Sequence, residues 1–100
     1  MTRRASKVDA NQAEIVAAFR RLGASVALLH RVGEGVPDLL VGCRGVDRLV
    51  EVKDGTLPPS ARQLNPSQVA WHRDWRGCKP FVVTSVDDVI VLLKQWSKPQ

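Results

Sequence analysis

The sequence predicts an α/β (α+β) fold in which helices flank a mixed sheet, with elements in the order α-β-β-β-α-β-α. Three segments combine a helical spacing of apolar residues with capping residues at their starts. Short runs rich in β-formers separate them, and two of these runs are joined by a turn, which predicts a hairpin. With 100 residues, of which 44% are apolar, the chain is the size of one domain.

The first helix is predicted over residues 10–22. Asp9 and Gln12 have the spacing of a capping box. Gly23 suits the left-handed residue that follows a helix end. The buried face of this helix is predicted from an i, i+3, i+4, i+7 series, which consists of Ile15, Ala18, Phe19 and Leu22.

A strand is predicted over residues 24–31 and a β-hairpin over residues 37–43 and 48–53. The intervening residues 44–47 have turn chemistry. A loop over residues 54–65 follows, which is long for so small a domain.

The second helix is predicted to begin at Pro66, since Asn65 and Gln68 form a second capping box and Pro suits the first helical position. It should end near Arg76, before Gly77. A short buried strand over residues 80–84 leads to a last helix. Ser85 and Asp88 cap that helix, whose apolar residues are Val89, Ile90, Leu92, Leu93 and Trp96.

Residues 9–97 are therefore interpreted as one domain, preceded by a basic arm over residues 1–8 that is either a frayed terminus or a tail that contacts phosphates. A net charge of +5 makes a polyanion the first partner to consider. The two isolated cysteines argue against a disulfide framework or a zinc site. No apolar run approaches the roughly 20 residues of a membrane helix, and the N-terminus lacks a secretory signal, so we expect a cytoplasmic protein with no membrane partner.

Charged residues in a predicted strand indicate a site. Glu51 and Lys53 alternate with apolar residues and so share one face of their strand. A turn centred on residues 45–46 would pair Cys43 with Arg48 and Asp38 with Lys53. Asp38 would then lie on the same face, diagonal to Glu51 and about 7–8 Å from it.

Two carboxylates that converge beside one ammonium group suit metal-assisted hydrolysis of phosphodiesters. Mg²⁺ prefers oxygen ligands and retains water, so two carboxylates, one backbone carbonyl and water fit it, with Mn²⁺ as a substitute. Lys53 could orient the water or stabilise the transition-state charge. The alternative is an exposed ion-pair cluster, which would stabilise the fold little.

Three motifs follow one another in the chain: Gly35-Val36-Pro37-Asp38-Leu39-Leu40, then Glu51-Val52-Lys53, then Leu64-Asn65-Pro66-Ser67-Gln68 with Trp71. In this order they resemble the PD-(D/E)XK nuclease superfamily and, within it, the VRR-NUC branch. The resemblance covers roughly residues 12–95 and implies a restriction-endonuclease-like αβββαβ core with an added C-terminal helix. The sequence departs from the family at Asn65, where Ser or Thr is usual.

The resemblance implies that Asp38, Glu51 and the Val52 carbonyl bind the metal and that Lys53 is catalytic. It matches Glu14 to an acid of the first helix that helps to bind metal or water in related nucleases, although a solvated first-turn glutamate is the alternative. It matches Gln68 to a glutamine near the catalytic lysine, a role compatible with capping.

Other residues are assigned more generally. The candidate DNA contacts are basic residues, namely Arg3, Arg4, Lys7, Arg44 and Arg62. His72, one helical turn after Gln68, either faces the site or is a packing or surface residue, and a lone histidine on a helix is more often the latter. Trp71 and Trp75 form core, a dimer face or a base-stacking surface.

The sequence thus predicts a Mg²⁺-dependent DNA endonuclease, and the resemblance implies a homodimer that acts on branched DNA such as four-way (Holliday) junctions, in a bacterium or a phage-infected cell. Two other classes stay open: a catalytically silent DNA-binding module, and an interaction protein that retains the nuclease fold. A sequence-specific, restriction-type enzyme would differ by its fixed cut sites on linear duplex.

Overall fold

A computed structural model of the chain describes residues 8–96. The predicted arm up to residue 7 and the last residue of the predicted domain lie outside this range. Three α-helices occur in the described part of the chain: α1 (Gln12–Arg21), α2 (Pro66–Asp74) and α3 (Val86–Trp96). They accompany four strands, which are β1 (Ser25–Leu28), β2 (Leu39–Cys43), β3 (Val46–Val52) and β4 (Phe81–Val83).

The strands form one mixed sheet in the order β1-β2-β3-β4. The first three are antiparallel neighbours, and β4 pairs with β3 in parallel. A 3₁₀ turn over Pro59–Arg62 interrupts the predicted loop, and α2 ends two residues before the predicted Arg76. No helix among residues 8–96 is both long enough and apolar enough to cross a membrane. The predicted mixed sheet flanked by helices is confirmed.

The core lies between one face of the sheet and the helices α1 and α3. From the sheet, Leu39, Val41, Val50 and Val52 are fully buried against it. From α3 the buried residues are Val89, Leu92, Leu93 and Trp96, whereas the predicted core residue Ile90 is 37% exposed. In α1, Val16 is buried although it was not predicted to be, whereas the predicted core residue Leu22 is exposed because it follows the last helical turn.

The start of α1 differs from the prediction. The N-cap is Asn11, its side chain makes no capping hydrogen bond, and the expected capping box of Asp9 and Gln12 does not form. The Asn11 amide instead donates to the backbone carbonyls of Lys53 and Thr84, at 3.1 Å each. Tertiary hydrogen bonds have therefore replaced local capping, and they fasten the start of α1 to the ends of β3 and β4.

The hairpin register also differs from the prediction, by two residues. Cys43 pairs with Val46 rather than Arg48, because the connection is a two-residue turn. Both turn residues have positive φ, 53° at Arg44 and 79° at Gly45, as a type I′ turn requires. Because side chains alternate with a period of two, this shift keeps every side chain on its predicted face.

Candidate active site

Asp38 and Glu51 form a buried carboxyl pair on the sheet face opposite the core. The observed register, extended by one pair beyond Leu39 and Val50, places them directly opposite each other rather than diagonally as predicted. Asp38 is 5% exposed and Glu51 is 1% exposed. The backbone N–H of Val52 donates to Asp38 Oδ2 at 2.8 Å, so the next residue of β3 fixes the aspartate.

Burial is the largest cause of the raised pKa of Glu51. Loss of hydration, a side-chain hydrogen bond with Asp38 and the negative charge of Asp38 raise its pKa from 4.5 to about 9. The positive charge of Lys53 acts in the opposite direction but is too weak to offset them. Glu51 therefore retains a proton at neutral pH, and a cation that displaced this proton would offset the repulsion between the two carboxylates that result.

Gln68 connects Glu51 and Lys53 to the start of α2. Its side-chain Nε2 donates to Glu51 Oε2 at 3.1 Å, and its Oε1 accepts from Lys53 Nζ at 2.9 Å. The same Oε1 accepts from the backbone N–H of Asn65, whose side chain accepts from the Gln68 backbone N–H, both at 2.9 Å. The capping box and the contact with the lysine, which the sequence left as compatible roles of Gln68, are present together.

His72 lies one helical turn beyond Gln68 and also reaches the pair. Its Nε2 is 3.5 Å from Glu51 Oε1, and its side chain is 15% exposed. Burial, followed by the positive charges of Lys53 and Lys79, lowers the pKa of His72. Of the two positions that the sequence left open for this histidine, the structure shows the one facing the site rather than the favoured packing or surface position. The spacing of four residues from Gln68 places both side chains on one side of α2.

The acid of α1 is placed differently from the prediction. Glu14 lies on the exposed side of the helix and is not among the charges that act on Glu51. Asp9, just before α1, does act on it and contributes to its raised pKa. Glu14 is therefore placed as the solvated first-turn glutamate that the sequence left as the alternative, while Asp9 lies on the segment that Asn11 holds against the end of β3.

Two of the five candidate DNA contacts lie in the described part of the chain. Arg44 occupies the exposed hairpin turn, and the Arg62 guanidinium donates to the Leu57 carbonyl at 2.9 Å. The remaining three predicted contacts, Arg3, Arg4 and Lys7, lie outside the described residues.

The predicted aromatic pair is a stacked one. Trp71 and Trp75 have ring centroids 4.5 Å apart and an interplanar angle of 15°. They lie beside an apolar groove of about 450 Å³ on the sheet face that carries Glu51, lined among others by Leu40 and Leu49. Trp75 is 43% exposed, so neither tryptophan belongs to the core between the sheet and α1.

The donor set fits a hard divalent cation. Glu51 Oε1 has no hydrogen-bond partner among residues 8–96, although it is buried beside a second carboxyl group. No group of three or more His, Cys, Asp or Glu side chains in this range could hold a metal ion. A cation here would therefore use the two carboxylates and complete its shell with backbone oxygen, such as the Val52 carbonyl, and water, as Mg²⁺ does.

The comparison with solved structures agrees with this geometry. No family model matches the sequence, and no curated protein matches it. Among solved structures, one described as a VRR_NUC domain superposes with a TM-score of 0.63 and is 37% identical in sequence. The match covers 85% of this chain and 91% of that one. At this identity and coverage, with Asp38, Glu51, Lys53 and Gln68 assembled on one sheet face, the chain belongs to the VRR-NUC nuclease family.

Proposed function

We propose that the protein is a Mg²⁺-dependent endodeoxyribonuclease that hydrolyses phosphodiester bonds and selects branched DNA such as four-way junctions. One observation carries the proposal: the buried pair of Asp38 and Glu51 lies beside the Lys53 amine, and Gln68 contacts both Glu51 and Lys53. A stabilising surface ion pair would not require a second buried carboxyl group. A nuclease requires both acids and the amine in one place.

Each side chain has a distinct role in this proposal. Asp38 and Glu51 hold the cation, and the Val52 N–H keeps Asp38 in position. When bound, Mg²⁺ supplies Lewis-acid stabilisation of the phosphate and acidifies a water molecule. The Lys53 amine orients that water or stabilises the negative charge that develops on the phosphate. Gln68 accepts a hydrogen bond from Lys53 and so keeps the amine beside the acids.

The net charge of +5 supports a polyanionic substrate, since basic side chains gain affinity by releasing the counterions of DNA. We propose a homodimer, because a two-fold assembly presents paired sites to the two strands of a junction. An exposed apolar residue at an edge of the sheet supports this: β1 is one of the two edge strands, and Leu28 on it is 50% exposed. Light scattering of the purified protein measures the mass directly.

The decisive experiment is cleavage of a labelled four-way junction with Mg²⁺ by the wild type, Asp38→Asn and Lys53→Ala. We expect the wild type to cut and both variants to lose at least about 100-fold in rate, as expected when a metal ligand or a charge-stabilising group is removed. Asp47→Asn is the matched control: it removes an acid from the same hairpin and the same sheet face, but from an exposed position. Unchanged cutting by Asp38→Asn and Lys53→Ala would refute the assignment.

The substrates distinguish the alternatives. A linear DNA duplex with the same sequence as the arms of the junction tests whether the protein selects branched DNA. Fixed cut sites on this duplex would indicate a restriction-type enzyme. Binding to the junction without cleavage, and without a need for Mg²⁺, would indicate a DNA-binding module that keeps the fold.

A further inference from the structure

His72 and Glu51 each present a buried polar atom to the other. The atoms concerned, His72 Nε2 and Glu51 Oε1, are 3.5 Å apart. Neither has a hydrogen-bond partner in the described part of the chain. Buried polar atoms without partners are rare in folded proteins, and two that face each other need only a small movement to pair.

The hydrogen bonds of the other polar groups near Glu51 do not reach its Oε1. Gln68 Nε2 donates to Oε2 of Glu51, while Gln68 Oε1 accepts from both Lys53 and Asn65. The Gln68 amide oxygen is an acceptor and has no proton to donate to Oε1 of Glu51, and the Gln68 NH₂ group contacts Oε2 rather than Oε1. The imidazole of His72 faces Oε1, with its Nε2 3.5 Å away.

The ring of His72 is also held in place by its neighbour. Trp71 meets it edge to face, with centroids 6.4 Å apart and an interplanar angle of 76°. A histidine that served only to fill space would not need its Nε2 opposite a buried carboxyl oxygen.

We propose that His72 is a positioning residue for Glu51, with the proton on Nε2 donated to Oε1. His72 and Gln68 then contact one carboxyl oxygen each and fix the rotation of the group toward Asp38. This inference rests on the proposed function, because its consequence is tighter binding of the cation by Glu51 and Asp38. It assigns His72 no contact with the DNA or the reacting water.

Two amide substitutions test the proposal in the full-length chain. In His72→Gln the amide nitrogen takes the place of Nε2, whereas in His72→Asn it takes the place of Nδ1 and falls short of Glu51. Both variants are polar and uncharged, so they differ in reach. Val69→Ala controls for changes in α2, because Val69 is 47% exposed on that helix.

Mg²⁺ binding is measured by titration calorimetry without DNA, and cleavage is measured over a range of Mg²⁺ concentrations. We expect His72→Asn to weaken Mg²⁺ binding by about 10-fold to 100-fold, as loss of a partner behind a metal ligand does, and His72→Gln to stay close to the wild type. Saturating Mg²⁺ should restore kcat in His72→Asn, with KM for DNA unchanged throughout.

Equal Mg²⁺ affinity in both amide variants would overturn the proposal, as would a loss of kcat that saturating Mg²⁺ does not restore. These outcomes leave the proposed function standing as long as Asp38→Asn abolishes cleavage. A wild-type protein that neither binds Mg²⁺ nor cuts DNA would overturn both proposals together.

Discussion

Replacement of Glu51 by glutamine should stabilise the protein in the absence of divalent cations. The carboxyl group is 1% exposed, and its pKa is raised to about 9 by burial and by Asp38. In the unfolded chain the group ionises near pH 4.5. At pH 7.5 folding must therefore return a proton to Glu51, and each pH unit above 4.5 lowers the free energy of unfolding by about 1.4 kcal/mol.

This linkage sets an upper limit of about 4 kcal/mol on the destabilisation at pH 7.5. A glutamine is neutral at every pH, accepts from Gln68 as Glu51 does, and can donate to Asp38. Less favourable amide hydrogen bonds would remove about 1–2 kcal/mol of the gain. We therefore expect a net increase of about 2 kcal/mol, which corresponds to a Tm higher by roughly 10 °C for a domain of this size.

Urea unfolding with EDTA, from pH 5 to pH 8.5, measures the effect. Because the folded-state pKa is raised, the wild type should lose stability as the pH rises above 4.5, and the Glu51→Gln variant should lack this slope. The two curves should therefore cross between about pH 5 and pH 6, where the linkage cost equals the penalty of the amide hydrogen bonds. Mg²⁺ should stabilise the wild type more than the variant.

Glu14→Gln is the matched control, since it removes the same charge from an exposed position on α1. It should leave the wild-type slope unchanged. A Glu51→Gln variant no more stable than the wild type at pH 7.5 in EDTA would show that the burial and repulsion inferred for Glu51 are wrong.

Two further predictions concern the start of α2. Gly35→Ala should lower the free energy of unfolding by more than about 2 kcal/mol, because a Cβ there would lie 2.2 Å from the Ser67 carbonyl oxygen and φ is +83°. Gly23→Ala is the control, since Gly23 has a φ of +99° but open space around it. This variant has the backbone strain alone and should lose only about 1 kcal/mol, as measured by thermal unfolding. Asn65→Ala should lower the free energy of unfolding, measured in urea, by about 1 kcal/mol, because it removes the acceptor for the Gln68 N–H. Asn65→Ser should retain most of that stability. Equal losses in the two variants would contradict the capping role.

The periodicity of the sequence predicted the elements and the shared face of Asp38, Glu51 and Lys53. Side chains alternate between the two faces of a strand, so a register error of two residues leaves every side chain on its predicted face. The shared face was therefore predicted correctly although the pairing was wrong. The pairing itself depended on a turn in which Arg44 adopts positive φ, a conformation that non-glycine residues adopt uncommonly. Local patterns do not encode that choice between turns.

The first helix illustrates what sequence spacing cannot reveal. Asp9 and Gln12 have the spacing of a capping box, but the Gln12 amide lies 3.4 Å from His30 Nδ1 instead. Asn11 likewise bonds to strand ends more than 40 residues away, at Lys53 and Thr84. Such long-range bonds outcompete local capping, and they hold the start of α1 against the ends of β3 and β4.

Gln68 has a consequence for how the protein folds. One oxygen atom both completes the first turn of α2 and receives the Lys53 ammonium. Fraying of that turn would therefore release Lys53 and Glu51 at the same moment, so a partly ordered helix cannot hold the candidate site together. Nucleation of α2 and assembly of the candidate site become a single cooperative event.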